Sequence, residues 1–187
     1  IGTSQQRTNN LSGTYNNKYI SISNYSYVTG TGSSSKQHTL GIVELILTRE
    51  MPNILLDSKI NDYEGMRVAG LVGFGQKLSL EGDFDKYFTL YTPDNYERDA
   101  LYFLTPELMH LLITEGQEYD IEIVGNKLKL YQSSEIDYSE AGLKKLFAII
   151  DSLGGEFMQN TARYQDERSA VGGVVASPGL KLRKNVF

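Results

Sequence analysis

Carboxylates are the groups in this chain that gather most closely. Glu81, Asp83 and Asp85 fall within five positions, a density that suits calcium coordination or a general acid working beside a general base. A calcium loop also needs a D-x-D-x-D-G frame closed by a distal glutamate, and the segment has neither. Asp83 stands immediately before Phe84 to Phe88, where a helix-capping carboxylate is expected. Glu97 with Asp99 is the second pair. Its spacing sets no acid–base geometry and fits the exposed start of a helix. A carboxylate-dependent hydrolase would have to work through Asp83 with Asp85, or through Glu97 with Asp99.

Other chemistry has even less to build on. His38 and His110 are the only histidines, and there is no cysteine. A Ser-His-Asp triad needs a strained turn that presents the serine, and no G-x-S-x-G occurs. Two distant histidines make a poor zinc site without further ligands. Both are therefore expected as ordinary exposed residues. The loop Thr29 to Lys36, TGTGSSSK, has phosphate-loop composition but not the G-x-x-x-x-G-K-[ST] spacing. Strand patterns flank it on both sides, so a hairpin loop is expected in place of a turn that runs into a helix. Gly70, Gly73 and Gly75 do not make G-x-G-x-x-G, and no βαβ unit surrounds them. No residue is assigned a catalytic, cofactor-binding or metal-ligating role.

Tyrosine is abundant: 13 Tyr against no Trp. A binding face of Tyr25, Tyr27, Tyr87, Tyr91 and Tyr96 is one use, since Tyr combines apolar area with a hydroxyl. The blander use, favoured here, is aromatic packing on a pleated surface.

The elements that must position these groups begin with strands. Residues 1–17 are dense in Ser, Thr, Asn and Gln and predict a poorly ordered lead-in. Tyr19 to Val28 changes phase between Ile20/Ile22 and Tyr25/Tyr27, which predicts a bulge near Ser23-Asn24. His38 to Thr48 is apolar on both faces and predicts a central strand, with Glu44 needing a partner or a route to water. Pro52 opens a short strand, Asn53 to Leu56, and Val68 to Phe74 is either a further strand or part of a mobile loop. Asp94 with Glu97 has capping-box spacing, and Thr105-Pro106-Glu107 marks a second helix start. In that helix Leu108, Leu111 and Leu112 share a face and His110 points away. Tyr119 to Val124 and Lys127 to Tyr131 predict a hairpin across Gly125-Asn126. Ser139 to Leu153 predicts an amphipathic helix that Gly154-Gly155 ends or bends, with 156–168 a possible continuation.

A length of 187 residues fits one domain with tails, and 40% hydrophobic residues suffice for a real core. A net charge of -5 argues against nucleic acid as a partner. No apolar run reaches the roughly 18 to 20 residues that span a bilayer. The chain begins at Ile1, not Met, so the expectation is a processed product or an excised soluble part, with room for a membrane anchor in segments absent from it. From Ser169 onward there is no acid, while Lys181, Arg183 and Lys184 form a basic tail suited to anionic headgroups.

Leu80-Glu81-Gly82-Asp83-Phe84 with Phe88 and Tyr91, Asp99-Ala100-Leu101, Leu104-Thr105-Pro106-Glu107-Leu108-Met109 and the Ile121 to Tyr131 hairpin resemble a known family. It is the soluble part of bacterial membrane proteins grouped under domain of unknown function 3137. Tyr25-Ser26-Tyr27 with Gly30 and Gly32, and Met51-Pro52-Asn53, resemble the same family upstream. The resemblance runs from Ser12 to Ser133, more weakly around Tyr164 to Arg168. One departure is Arg98-Asp99-Ala100, where many relatives place an acid or Gln before Ala-Arg. The resemblance implies transmembrane helices ahead of this domain, and it implies no activity, substrate or functional residue.

The expected fold is α+β: a curved, mostly antiparallel sheet of about six or seven strands with two or three helices. A partly closed, pleckstrin-homology-like barrel with a C-terminal helix is the alternative. The domain is expected over 18–154, followed by a helical extension and basic flexible tail over 155–187. The expected function is a non-catalytic interaction domain of a membrane-anchored bacterial protein, binding protein or lipid headgroups. The carboxylate-dependent hydrolase and a structural self-association domain that pairs through a sheet edge are the alternatives.

Overall fold

The computed structural model describes residues 3–61, 75–80 and 82–164. Among them are six strands, β1 (Thr3–Tyr15), β2 (Lys18–Thr29), β3 (Lys36–Ser58), β4 (Gln76–Leu78), β5 (Phe88–Thr92) and β6 (Asp120–Gln132). Three helices accompany them: α1 (Glu97–Phe103), α2 (Pro106–Glu115) and α3 (Glu140–Arg163). Among the described residues every strand pairing is antiparallel and the sheet does not close on itself, so the fold is α+β with an open sheet and not a closed barrel.

The sheet is organised around β3. Its alternation is apolar on both faces, and β2 and β6 pair with its two edges, as a central strand requires. Between Ile46 and Met51 the register against β6 breaks, because residues 47–50 oppose only Asn126. β6 turns at the same level. The Tyr131 hydroxyl donates to Glu122 Oε2 at 2.7 Å and Lys129 Nζ lies 3.2 Å from the same oxygen. Residues seven and nine apart in a straight strand would be separated by roughly 23 to 30 Å, so β6 doubles back. Gly125, at φ +60°, occupies the first central position of a two-residue turn that calls for glycine there. The hairpin over Gly125-Asn126 is therefore present, inside one element. β3 doubles back around it, with residues 41–46 on the second half of β6 and 51–56 on the first. Across the sheet the path runs β1, β2, first half of β3, the two halves of β6, second half of β3, β5, β4.

Helices cover one face. Ile20, Ile22, Val43, Leu45, Ile121, Ile123, Leu128 and Leu130 meet Leu108, Leu112, Leu146, Ile150, Leu153 and Phe157 in one buried cluster. α2 starts as its sequence predicts, with the Thr105 hydroxyl accepting from Leu108 N at 3.3 Å and Pro106 in the first turn. α3 is capped by Ser139, whose hydroxyl accepts from Gly142 N at 3.1 Å.

Several expectations are corrected. Residues 3–15 are not a poorly ordered lead-in but strand β1, paired with β2 through 15–18, where Asn16 and Asn17 both take positive φ. The polar composition hid it because its side chains are exposed along almost the whole strand. β2 carries no bulge at Ser23-Asn24, since its register with β3 is unbroken from Ile20 to Thr29. The phase change arises because Ile20 and Ile22 enter the main core while Tyr25 and Tyr27 pack on the opposite face. The irregularity sits in β1, between Thr8 and Leu11. Glu44 finds its partner in Lys127, at 3.6 Å. Val68 to Phe74 lies outside the described residues.

Gly154-Gly155 does not end the last helix, which runs to Arg163. The domain therefore extends past 154, and residues beyond 164 lie outside the described ones. A Cβ at Gly154 would come within 2.9 Å of Leu45 Cδ2, whereas one at Gly155 would meet nothing. Gly154 is thus the point of close approach between helix and sheet. Glycine inside a helix costs about 0.5–1 kcal/mol against alanine. Gly155→Ala should therefore raise the melting temperature by a few degrees, and Gly154→Ala should raise it less or lower it. Equal gains by thermal melting would contradict the close approach.

Candidate functional site

The acids that invite catalysis are dispersed into structural duties. Glu81 lies outside the described residues. Asp83 does not cap, because Phe84–Lys86 is only a short 3-10 turn, and its exposed carboxylate pairs with Lys86 at 2.7 Å. Asp85 takes the backbone role: Oδ1 accepts from Leu80 N at 3.0 Å and Oδ2 from the Ser79 hydroxyl. Desolvation pushes its carboxyl up, but those hydrogen bonds and the Lys59 and Lys77 charges outweigh it, so Asp85 titrates below the ordinary aspartate range. The Asp94–Glu97 capping box does not form. Tyr96 is the residue at the start of α1, with no side-chain cap. Glu97 instead accepts from Gln76 Nε2 at 2.7 Å, tying α1 to β4, and Asp99 accepts from the Tyr164 hydroxyl at 2.7 Å. Among the described residues no three His, Asp or Glu side chains are grouped to hold a metal ion.

His110 is exposed on α2, as its position in the helix predicts. His38 is half-buried, not an ordinary exposed residue: its ring stacks on Tyr27 at 4.8 Å and 9°, and Nε2 lies 2.8 Å from Thr29 Oγ1. The Thr29 to Lys36 segment is a hairpin loop closed by the Thr29–Lys36 pair. Gly30 is required in it, since a Cβ there would sit 2.5 Å from Ser34 O. None of the five singled-out tyrosines offers an exposed face: Tyr27, Tyr91 and Tyr96 are buried, and Tyr25 and Tyr87 are half-buried. Tyr131, which sequence pattern did not single out, joins Tyr25 and Tyr27 to Leu55 and Tyr91 on the face away from the helices.

What the chain does bring together is a buried polar junction. Asp120 is fully buried. Its Oδ1 accepts from Ser58 N at 2.8 Å and its Oδ2 from Asn61 Nδ2 at 2.9 Å. Asn61 also donates to Tyr131 O at 2.9 Å, and its Oδ1 accepts from Ser133 N at 2.8 Å. One carboxamide therefore ties the end of β3 to both ends of β6.

A cavity of 410 Å³ opens beside this junction, between the ends of β3 and β6 and the first turns of α3. The 132–137 segment that walls it is seated on two glycines. A Cβ at Gly41 would lie 2.7 Å from Gln132 Cγ and Ile136 Cδ1, and one at Gly142 would lie 2.4 Å from Asp137 O. Buried Tyr119, Ile136 and Leu146 form its floor, and Glu118, Glu135, Asp137 and Lys145 are exposed around it. Burial, and secondarily Glu118, pushes the Tyr119 phenol up to about 12, so it stays protonated. Sequence pattern could not find this cavity, because its walls come from segments up to 86 residues apart.

A second, shallower groove lies between the β1–β2 turn and α3, lined by Tyr15, Leu143, Phe147 and Asp151. Asp151 pins the turn, accepting from the Tyr15 hydroxyl at 2.7 Å and Asn16 Nδ2 at 3.0 Å, with Lys18 Nζ at 3.7 Å.

No family profile, no curated protein and no solved structure matches the chain.

Removing Asn61 leaves buried partners unpaired, a loss of about 1–3 kcal/mol. Asn61→Ala should therefore lower stability by that order in denaturant titration, and a neutral result would dismiss the junction. The Tyr15 and Asn16 hydrogen bonds, then the Lys18 charge, hold the Asp151 carboxyl below its ordinary 3.8. Its contribution is thus complete above that value and is lost as pH falls through the lowered one. Amide exchange in 3–18 should accelerate in that acid range while helix α3 stays protected, and Asp151→Ala should show the faster exchange at neutral pH.

Proposed function

We propose that this domain is a non-catalytic interaction module of a membrane-anchored bacterial protein, and that it binds a protein partner along the free edge of β1. The observation that carries the proposal is the state of that strand. β1 is 13 residues long, stands at the end of the sheet, pairs only with β2 among the described residues, and is exposed along nearly its whole length. An edge of this kind presents backbone amides and carbonyls to an incoming strand. The polar sequence and the two register breaks in β1, with positive φ at Ser4 and Asn9, restrain indiscriminate pairing. They leave residues 11–15 as the longest uninterrupted run for a partner.

Dispersal of the acids favours this function over a carboxylate-dependent hydrolase, since Asp83, Asp85, Glu97 and Asp99 each have a separate structural partner. Self-association is the second reading, and the same edge would serve it in a second copy of the chain. No helix among the described residues is long and apolar enough to cross a membrane, so anchoring is assigned to segments outside them. The Lys181, Arg183 and Lys184 cluster is the part suited to anionic headgroups.

Adjacent residues of an edge strand point their amides alternately toward the neighbour and toward solvent. Of Ser12→Pro and Gly13→Pro, one should therefore blunt the free edge alone and keep the melting temperature. In the intact protein, a photo-crosslinker at Gln6 should give adducts that this variant loses, while a crosslinker at His110 gives none. Adducts of twice the chain mass would favour the self-association reading. Equal crosslinking from both positions would overturn the edge assignment.

A further inference from the structure

We infer that the cavity between β3, β6 and α3 binds a small aliphatic ligand with an ammonium group at one end and a neutral hydrogen-bonding group at the other. The site is separate from the β1 edge, and neither proposal depends on the other.

Its 410 Å³ is the size of a small-molecule site, which commonly pairs an apolar floor with a few fixed polar groups. The floor has one polar group of its own. Tyr119 is 4% exposed, and its hydroxyl has no hydrogen-bond partner among the described residues. Asn160 Oδ1 is the one side-chain oxygen or nitrogen there that is sealed from solvent without a partner. Because the Tyr119 oxygen is unpaired but not sealed, and its residue lines the cavity, we take it to open there. Open to the cavity, the hydroxyl is free to hydrogen-bond water there, and a ligand hydroxyl seated on it would take that water's place. Because the phenol stays protonated, it both donates and accepts, which suits a neutral group better than a second charge.

Charge at the mouth selects the other end. Glu118, Glu135 and Asp137 face a single cation, Lys145, which is already 3.2 Å from Glu118. Glu135 and Asp137 therefore leave a local excess of negative charge. The nearby start of α3 does not reverse this, since Asp137 accepts from Ser139 N at 2.9 Å and Ser139 accepts from Gly142 N at 3.1 Å. An anion would find those amides occupied. Between mouth and floor, Ile136 and Leu146 present aliphatic surface, and Ile60 stands 60% exposed at the rim. An ammonium held at Glu135 and Asp137, a short alkyl chain along Ile136 and Leu146, and a hydroxyl on Tyr119 would use each wall once.

Titration of the intact chain with 5-aminopentan-1-ol, pentylamine and pentanoate, read by NMR shifts of Tyr119 and the Leu146 methyls, tests this. The amino alcohol should saturate both signals and pentylamine should bind more weakly. Pentanoate should leave them unmoved. Tyr119→Phe should weaken the amino alcohol roughly threefold to tenfold, the worth of one neutral hydrogen bond, and erase its advantage over pentylamine. Glu135→Gln, at the exposed rim, should weaken both amines and keep the fold, so the test survives should Tyr119→Phe fail to fold. No saturable shift with the amino alcohol, or pentanoate binding as tightly, would overturn the assignment.

Discussion

The doubling back of β6 inside β3 is the constraint from which the rest of the architecture follows. A two-residue turn at Gly125 folds β6 on itself, and β3 wraps it with residues 47–50 passing the tip. The outer edges of β3 then receive β2 at one end and β5 at the other. This sets the core faces of β2, β3, β5 and β6 toward the helices and leaves β1 at the margin of the sheet, paired only with β2 among the described residues. At the open end of the hairpin, Asn61 joins Asp120, Tyr131 and Ser133. Without it the ends of β3 and β6 would each bury backbone groups that water could no longer reach.

Magnitudes decide which polar contacts matter to that arrangement. The pairs Lys86–Asp83 and Lys144–Glu140 are at least 70% exposed, and such pairs contribute about 0–1 kcal/mol. The Asn61–Asp120 junction is buried, and losing one partner there costs more than either surface pair supplies. The acidic residues that look reactive by spacing are likewise engaged singly, at a loop, a helix start and a strand edge. Chemistry needs such groups to converge, and the cavity beside the junction is where polar groups and apolar walls do converge.

Features that depend on neighbours in sequence were legible. Thr105-Pro106 starts α2, the apolar run of β3 makes it central, and Gly125-Asn126 turns the hairpin. Features that depend on distant neighbours were not. β1 has no hydrophobic alternation because it buries almost nothing, so composition alone mistook it for a loose lead-in. The Tyr25/Tyr27 phase change signals two buried faces, which pattern alone cannot distinguish from a bulge. Gly154 reads as a helix breaker until Leu45 is seen against it. Asn61 and Asp120 meet across 59 positions, and no local rule connects them. The cavity and Tyr119 share that difficulty, because a cavity lined by four separate segments leaves no periodic trace.

The most direct test of the nested hairpins is a set of NMR distance restraints within β6. Side-chain and backbone contacts between Ile121 and Leu130, and between Ile123 and Leu128, should appear as strong cross-strand NOEs, alongside those from Val43 to Leu130 and Leu56 to Ile121. If β6 were one extended strand, Ile121 and Leu130 would stand roughly 30 Å apart. The first pair of signals would then be missing, and the account of the fold would fail with them.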